Sequence, residues 1–81
     1  MAIMRKPSQE LLNILSRNIR RIRQQQNLSQ EELAERCGYH RTYIGSVERG
    51  ERNVSLSTLE VLGNTLKVTI QQLIEESESS K

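Results

Sequence analysis

Apolar residues return at intervals of three and four along most of the chain. Leu12, Leu15, Ile19 and Ile22 form one stripe over about fifteen residues. Leu33, Ala34 and Cys37 form a second, Ile44 and Val47 a third, and Leu56, Leu59, Leu62 and Leu66 a fourth. Ile70, Leu73 and Ile74 follow in a last short segment. Such spacing puts each set on one face of a helix, and no alternating run of β-branched residues suggests a strand. The punctuation agrees. Pro7 and Ser8 open the first helix, with Glu10 near its positive end. Ser29 with Glu32, and Thr69 with Gln72, have the spacing of capping boxes, and Ser55 is placed to cap the fourth helix. The pattern predicts an all-α fold of five helices, with 1–7 a flexible start, 8–76 one domain and 77–81 a disordered, acidic, serine-rich tail.

Residues 30–50, QEELAERCGYHRTYIGSVERG, read as two short helices joined by a tight turn. Ala34 is small enough for a second helix to cross close by. Gly38 can end the first helix in the left-handed conformation without steric cost. Ile44 and Val47 give the second helix, beginning at about Arg41, a single buried stripe. This is the helix-turn-helix pattern, whose second helix lies in the major groove of DNA. On a wheel of about 100° per residue, the face opposite Ile44 and Val47 carries Arg41, Thr42, Gly45, Ser46 and Arg49. Arginine grips guanine edges bidentately, and threonine meets a base through its hydroxyl or methyl. Arg41, Thr42, Ser46 and Arg49 are therefore the expected base readers, against the plainer reading of a solvated face. Gly45 costs about 1 kcal/mol relative to alanine in mid-helix, a loss that close approach to DNA would explain.

The segment LSQEELAERCGYHRTYIGSVERGERNVSLSTLEVLGNTLKV resembles the five-helix helix-turn-helix family of phage repressors and related small bacterial regulators. Within it, RTYIGSVERGERNVSLSTL is especially similar to the controller proteins of restriction–modification systems. The general resemblance covers about residues 12–76. It implies an ion pair between Arg23 in the first helix and Glu48 in the recognition helix, with a neighbouring phosphate as the alternative partner of Arg23. It also implies backbone contacts from Gln30, from Arg52 and Asn53 in the loop after Gly50, and from the hydroxyl of Tyr43, with packing as the equal alternative for Tyr43. Ser29 joins this set through the free N–H groups of the helix it opens, with capping as its plainer role. Tyr39 reads as packing at the edge of the core, and His40 as an exposed turn residue or a DNA contact. The resemblance places a dimer surface on the fourth and fifth helices, with Leu56, Val68, Thr69, Ile70 and Leu73 as candidates that the sequence does not separate from the monomer core.

Size and charge narrow the rest. Eighty-one residues allow one small core, and with Tyr39 and Tyr43 the only aromatics that core must be aliphatic. Residues 1–52 hold ten Lys and Arg against six Glu, a balance of +4, and residues 53–81 hold two Lys against four Glu, a balance of −2. The positive half contains the reading helix, as phosphate attraction requires. One cysteine, Cys37, cannot form an intrachain disulfide, and with one histidine the ligands for a metal site are too few. No metal or cofactor is expected. No apolar stretch reaches the length of a membrane span, and the start MAIMRKP lacks the apolar core of a signal peptide. The expected location is the bacterial cytoplasm, at the nucleoid.

The function expected is a homodimeric, sequence-specific transcription regulator that binds double-stranded DNA at a near-palindrome. Its half-sites would lie about 34 Å apart. The resemblance implies a controller of its own gene and of an endonuclease gene, with RNA polymerase a further candidate partner. A phage-type or chromosomal repressor, an antitoxin, and a protein-interaction module on the same fold are the alternatives. Nothing in the sequence pairs a nucleophile with a base, so an enzyme is not expected.

Overall fold

The computed structural model describes residues 6–76; residues 1–5 of the expected flexible start, 1–7, and the whole of the expected tail, 77–81, lie outside the described residues. Five helices follow one another: α1 Gln9–Gln25, α2 Gln30–Cys37, α3 Arg41–Glu48, α4 Leu56–Leu66 and α5 Ile70–Ile74. Each begins at a side chain that satisfies a free backbone N–H of its first turn. Ser8, Ser29, Ser55 and Thr69 cap α1, α2, α4 and α5, and the boxes Ser29–Glu32 and Thr69–Gln72 are both closed. The cap of α3 is His40, whose Nδ1 accepts from the Thr42 N–H at 3.0 Å.

The ends are equally uniform. Asn27, Gly38, Gly50 and Lys67 follow α1, α2, α3 and α4, all with positive φ. After α3 the Gly50 N–H reaches the Val47 carbonyl at 3.0 Å and the Glu51 N–H reaches back to Ser46 at 3.0 Å. This paired return turns the chain sharply off the helix. Gly50 is needed there twice over: its φ is +72°, and a Cβ would stand 2.9 Å from Asn13 Oδ1 on α1.

The helices close around Ile19, Leu33, Ile44, Leu62, Leu66 and Leu73, all fully buried, so every helix contributes to one aliphatic core. Burying each such side chain is worth about 1.5–3 kcal/mol. α1 packs on α3 and α5, α2 on α3 and α4, and α4 on α5. α5 is too short to stand alone. Asn18, buried on α1, holds its end by donating from Nδ2 to the Leu73 and Glu75 carbonyls, each at 2.8 Å.

Two expectations change. Leu56 continues the spacing of the α4 stripe but is 76% exposed, because the core begins at Leu59 and does not reach the first residue of α4. Leu73, expected with Leu56 on the dimer surface, is fully buried inside the single chain and belongs to its core.

Candidate nucleic-acid interface

Charge organises the underside of α3. Arg23 donates from Nε to Glu48 Oε2 at 2.6 Å and from Nη2 to Oε1 at 2.9 Å, a bidentate clasp between α1 and α3. Its Nη1 donates to the Leu28 carbonyl at 2.7 Å. Glu48 Oε1 also accepts from Gln30 Nε2 at 3.0 Å, and Arg20 Nε stands 3.7 Å away. Both Arg23 and Glu48 are buried. No buried side-chain nitrogen or oxygen among the described residues lacks a hydrogen-bond partner. A pair so enclosed survives because every charged atom is met.

Above this base the expected readers separate. Arg41 and Thr42 are exposed in the first turn of α3. Arg49, at its end, is exposed, and its Nε donates to Glu51 Oε2 at 3.0 Å. Both partners of that pair are more than half exposed, so the link contributes at most about 1 kcal/mol and opens easily to another anion.

Ser46 does not belong with them. The wheel sets it opposite Ile44 and Val47, yet in the structure it is 5% exposed. Its hydroxyl donates to the Tyr43 carbonyl at 2.7 Å and accepts from Arg52 Nε at 3.0 Å. The chain returning after Gly50 covers it. Gly45 is buried in the same way, beneath the side chains of Arg49 and Gln30.

The expected backbone contacts frame this helix. Ser29 is exposed at the start of α2, its hydroxyl accepting from the Glu32 N–H at 2.9 Å and its own N–H donating to Glu32 Oε1 at 2.8 Å. The Ser29 N–H donated to that carboxylate holds the Glu32 carboxyl below its usual range, with smaller contributions from the Ser29 side chain and Arg36. Tyr43 is half-buried, its ring 5.1 Å from that of Tyr39, and the Arg52 guanidinium lies 5.4 Å from the centre of its outer face. Tyr39 packs against the core and its hydroxyl reaches Thr58 Oγ1 at 3.3 Å. Asn53 is exposed and shares a hollow with Lys6, Gln9 and Arg49. Arg41, Thr42, Arg49, Arg52 and Asn53 are thus presented outward around one buried helix.

Residues 19–73 match the family model described as helix-turn-helix. The control protein C.SmaI of Serratia marcescens is 54% identical over 65 residues, which cover 80% of this chain and 77% of that one. The chain belongs to the helix-turn-helix family, with the restriction–modification control proteins. Solved structures of that group share its fold. The controller protein C.AhdI of Aeromonas hydrophila superposes with a TM-score of 0.74 at 40% identity, covering 76% of this chain and 94% of that one. The controller C.Esp1396I, as a tetramer with its natural 35 base-pair operator, superposes with a TM-score of 0.69 at 32% identity, covering 80% and 96%.

Set in this helix-turn-helix frame, the remaining expected residues sort by burial. Val68 and Ile70 are half-buried against the core, and Thr69 is exposed and spent on capping α5. Leu56 alone of the dimer candidates is a large, open apolar side chain. Cys37 is partly buried and packs against the core, which pushes its thiol up from its ordinary value despite a hydrogen bond with Thr65. No helix among the described residues is long and apolar enough to cross a membrane. Three working residues escaped the sequence reading: His40 as the cap of α3, Asn18 as the clasp of α5, and Gln30 as a partner of Glu48. Only the i, i+2 spacing of His40 and Thr42 carried a local signal. The others depend on where separate helices meet.

Proposed function

We propose that this chain is the controller protein of a restriction–modification system, a homodimer that binds a near-palindromic operator and regulates transcription from it. The observation that carries the reading is α3 itself. Arg41 and Thr42 stand exposed in its first turn while Ile44 to Glu48 are buried and braced by Arg23. A helix built this way presents a few side chains to a groove from a rigid support. Arg41, Thr42 and Arg49 read bases. Arg52, Asn53, Ser29, Gln30 and Tyr43 meet the backbone and fix register. Ser46 is withdrawn from the readers, since its hydroxyl is enclosed.

One reading helix covers too few base pairs to single out a genomic site, so two copies act together, through a face that includes Leu56, Val68 and Ile70. Similarity to C.Esp1396I, whose tetramer binds a 35 base-pair operator, supports stepwise filling of paired sites. Where the output is activation, RNA polymerase is the further partner. The protein works as a binder rather than an enzyme, on the nucleoid of the bacterial cytoplasm.

Selection from a random duplex library, with the winner's affinity followed against salt, tests this. A twofold-symmetric winner whose binding falls steeply with salt is expected. Weak binding indifferent to sequence would overturn the reading.

A further inference from the structure

The geometry points to Ser46 as a positioning residue for DNA binding, one that sets Arg52 before the duplex arrives. This rests on the reading of Arg52 as a backbone contact. Ser46 is the third-last residue of α3, and the Glu51 N–H bonds its carbonyl at 3.0 Å. That bond brings the loop back across the helix, so Arg52 lies over the turn formed by Tyr43 and Ser46. Two contacts then fix the guanidinium, and a third bond aims one of its partners. Its Nε donates to Ser46 Oγ at 3.0 Å, its Cζ lies over the Tyr43 ring 5.4 Å from the centre, and Ser46 Oγ is itself aimed by donating to the Tyr43 carbonyl at 2.7 Å.

The hydroxyl is the hinge of this arrangement because it both donates and accepts. Donation to a helix carbonyl uses its one proton, leaving lone pairs that only a donor can meet, and Arg52 Nε is that donor. The side of the guanidinium that carries Nε is thereby spent. Among the described residues the two Nη groups of Arg52 have no hydrogen-bond partner, and they form the end-on fork that suits two oxygens of one phosphate. Arg52 as a whole remains exposed while its anchor is buried. A long side chain held in its bound rotamer gives up less freedom on binding, so the gain appears as affinity rather than as fold stability. Ser46 acts through Arg52 and touches no DNA.

The test is a cycle of Ser46→Ala, Arg52→Ala and the double variant, each measured on the selected duplex across a range of salt. Alanine nearly keeps the volume at position 46 and favours helix, so the variant folds, with thermal melting as the check. Ser46→Ala is expected to weaken binding about three- to tenfold, the scale of one net hydrogen bond. The salt dependence should stay close to that of the unaltered protein, because the Arg52 charge is still present. Arg52→Ala should flatten the salt dependence by about one phosphate. In the Arg52→Ala background, Ser46→Ala should then change nothing. In the free protein, the Arg52 Nε–H resonance should be protected from exchange and lose that protection in Ser46→Ala. Equal losses in both backgrounds, or an unprotected Nε–H, would overturn the inference. If Arg52→Ala weakens binding and Ser46→Ala does not, the inference alone falls. If Arg52→Ala leaves both affinity and salt dependence unchanged, the reading of Arg52 as a backbone contact falls with it.

Discussion

Gln30 Nε2 donates to Glu48 Oε1 across 3.0 Å, on the same oxygen that Arg23 Nη2 reaches at 2.9 Å. The first residue of α2 is thereby tied to the last of α3 through a carboxylate that α1 already holds. A carboxylate clasped by a guanidinium accepts and does not donate, so the amide nitrogen of Gln30 must face it. One buried group thus sets how the opening of α2 stands relative to the reading helix.

Glu48→Ala would leave the Arg23 guanidinium buried without its partner. The expected loss is about 3–5 kcal/mol of stability, read from the midpoint of urea unfolding. A loss below about 1 kcal/mol would show that water replaces the carboxylate freely.

Gly45→Ala should separate stability from recognition. The added Cβ favours the helix by about 1 kcal/mol. It would also lie 3.2 Å from Arg49 Nη1 and 3.5 Å from Gln30 Oε1, so both side chains must shift. A higher melting temperature with several-fold weaker operator binding is expected. Improvement in both would mean that neither side chain is used where it lies.

Arg41→Ala should cost about 1–3 kcal/mol of operator affinity and relax preference at one base position. Arg52→Ala should instead weaken all sequences alike. Competition binding against a panel of single-base operator variants distinguishes them, and identical profiles would refute the division into reader and positioner.

The five helices, four of their five N-caps and most of the core were legible because each rests on neighbours close in sequence. Ser29 with Glu32 and Thr69 with Gln72 need only three residues to declare themselves, and Gly38 needs one. Ser46 was misplaced because a helical wheel knows only its own helix, and the cover over Ser46 arrives from Arg52, six residues on. Leu56 was misplaced for the converse reason. Its spacing is right, but it opens α4 at a point that no neighbouring element covers, while Thr58 and Leu59 in the same turn are buried. Asn18 gave no signal, since its partners are carbonyls 55 and 57 residues away.

Leu56→Lys should leave the fold intact and abolish self-association, since the side chain is 76% exposed in the single chain. Leu73→Lys should unfold it, for Leu73 is fully buried. Sedimentation velocity beside circular dichroism reads both. A dimer that survives Leu56→Lys would place the twofold surface elsewhere.

The cap of α2 should loosen in acid. The bonds from Ser29 lower the Glu32 carboxyl in the folded chain, so its contribution is present above the usual carboxylate range. It is lost as pH falls through the lowered value. A proton titration following the Ser29 amide resonance should show this, with Glu32→Gln nearly insensitive over the same range. A Ser29 amide that moves equally in both would assign the change to another group.

α3 keeps five consecutive residues, Ile44 to Glu48, under cover and leaves Arg41 and Thr42 in the open. Rewriting those two letters changes nothing that the core, the ion pair or the helix ends depend on. If Arg41 and Thr42 read bases as proposed, a lineage of such proteins can drift from one target site to another without passing through unfolded intermediates. A library randomised at the same two positions should yield folded members almost throughout, each a trial key for a different lock.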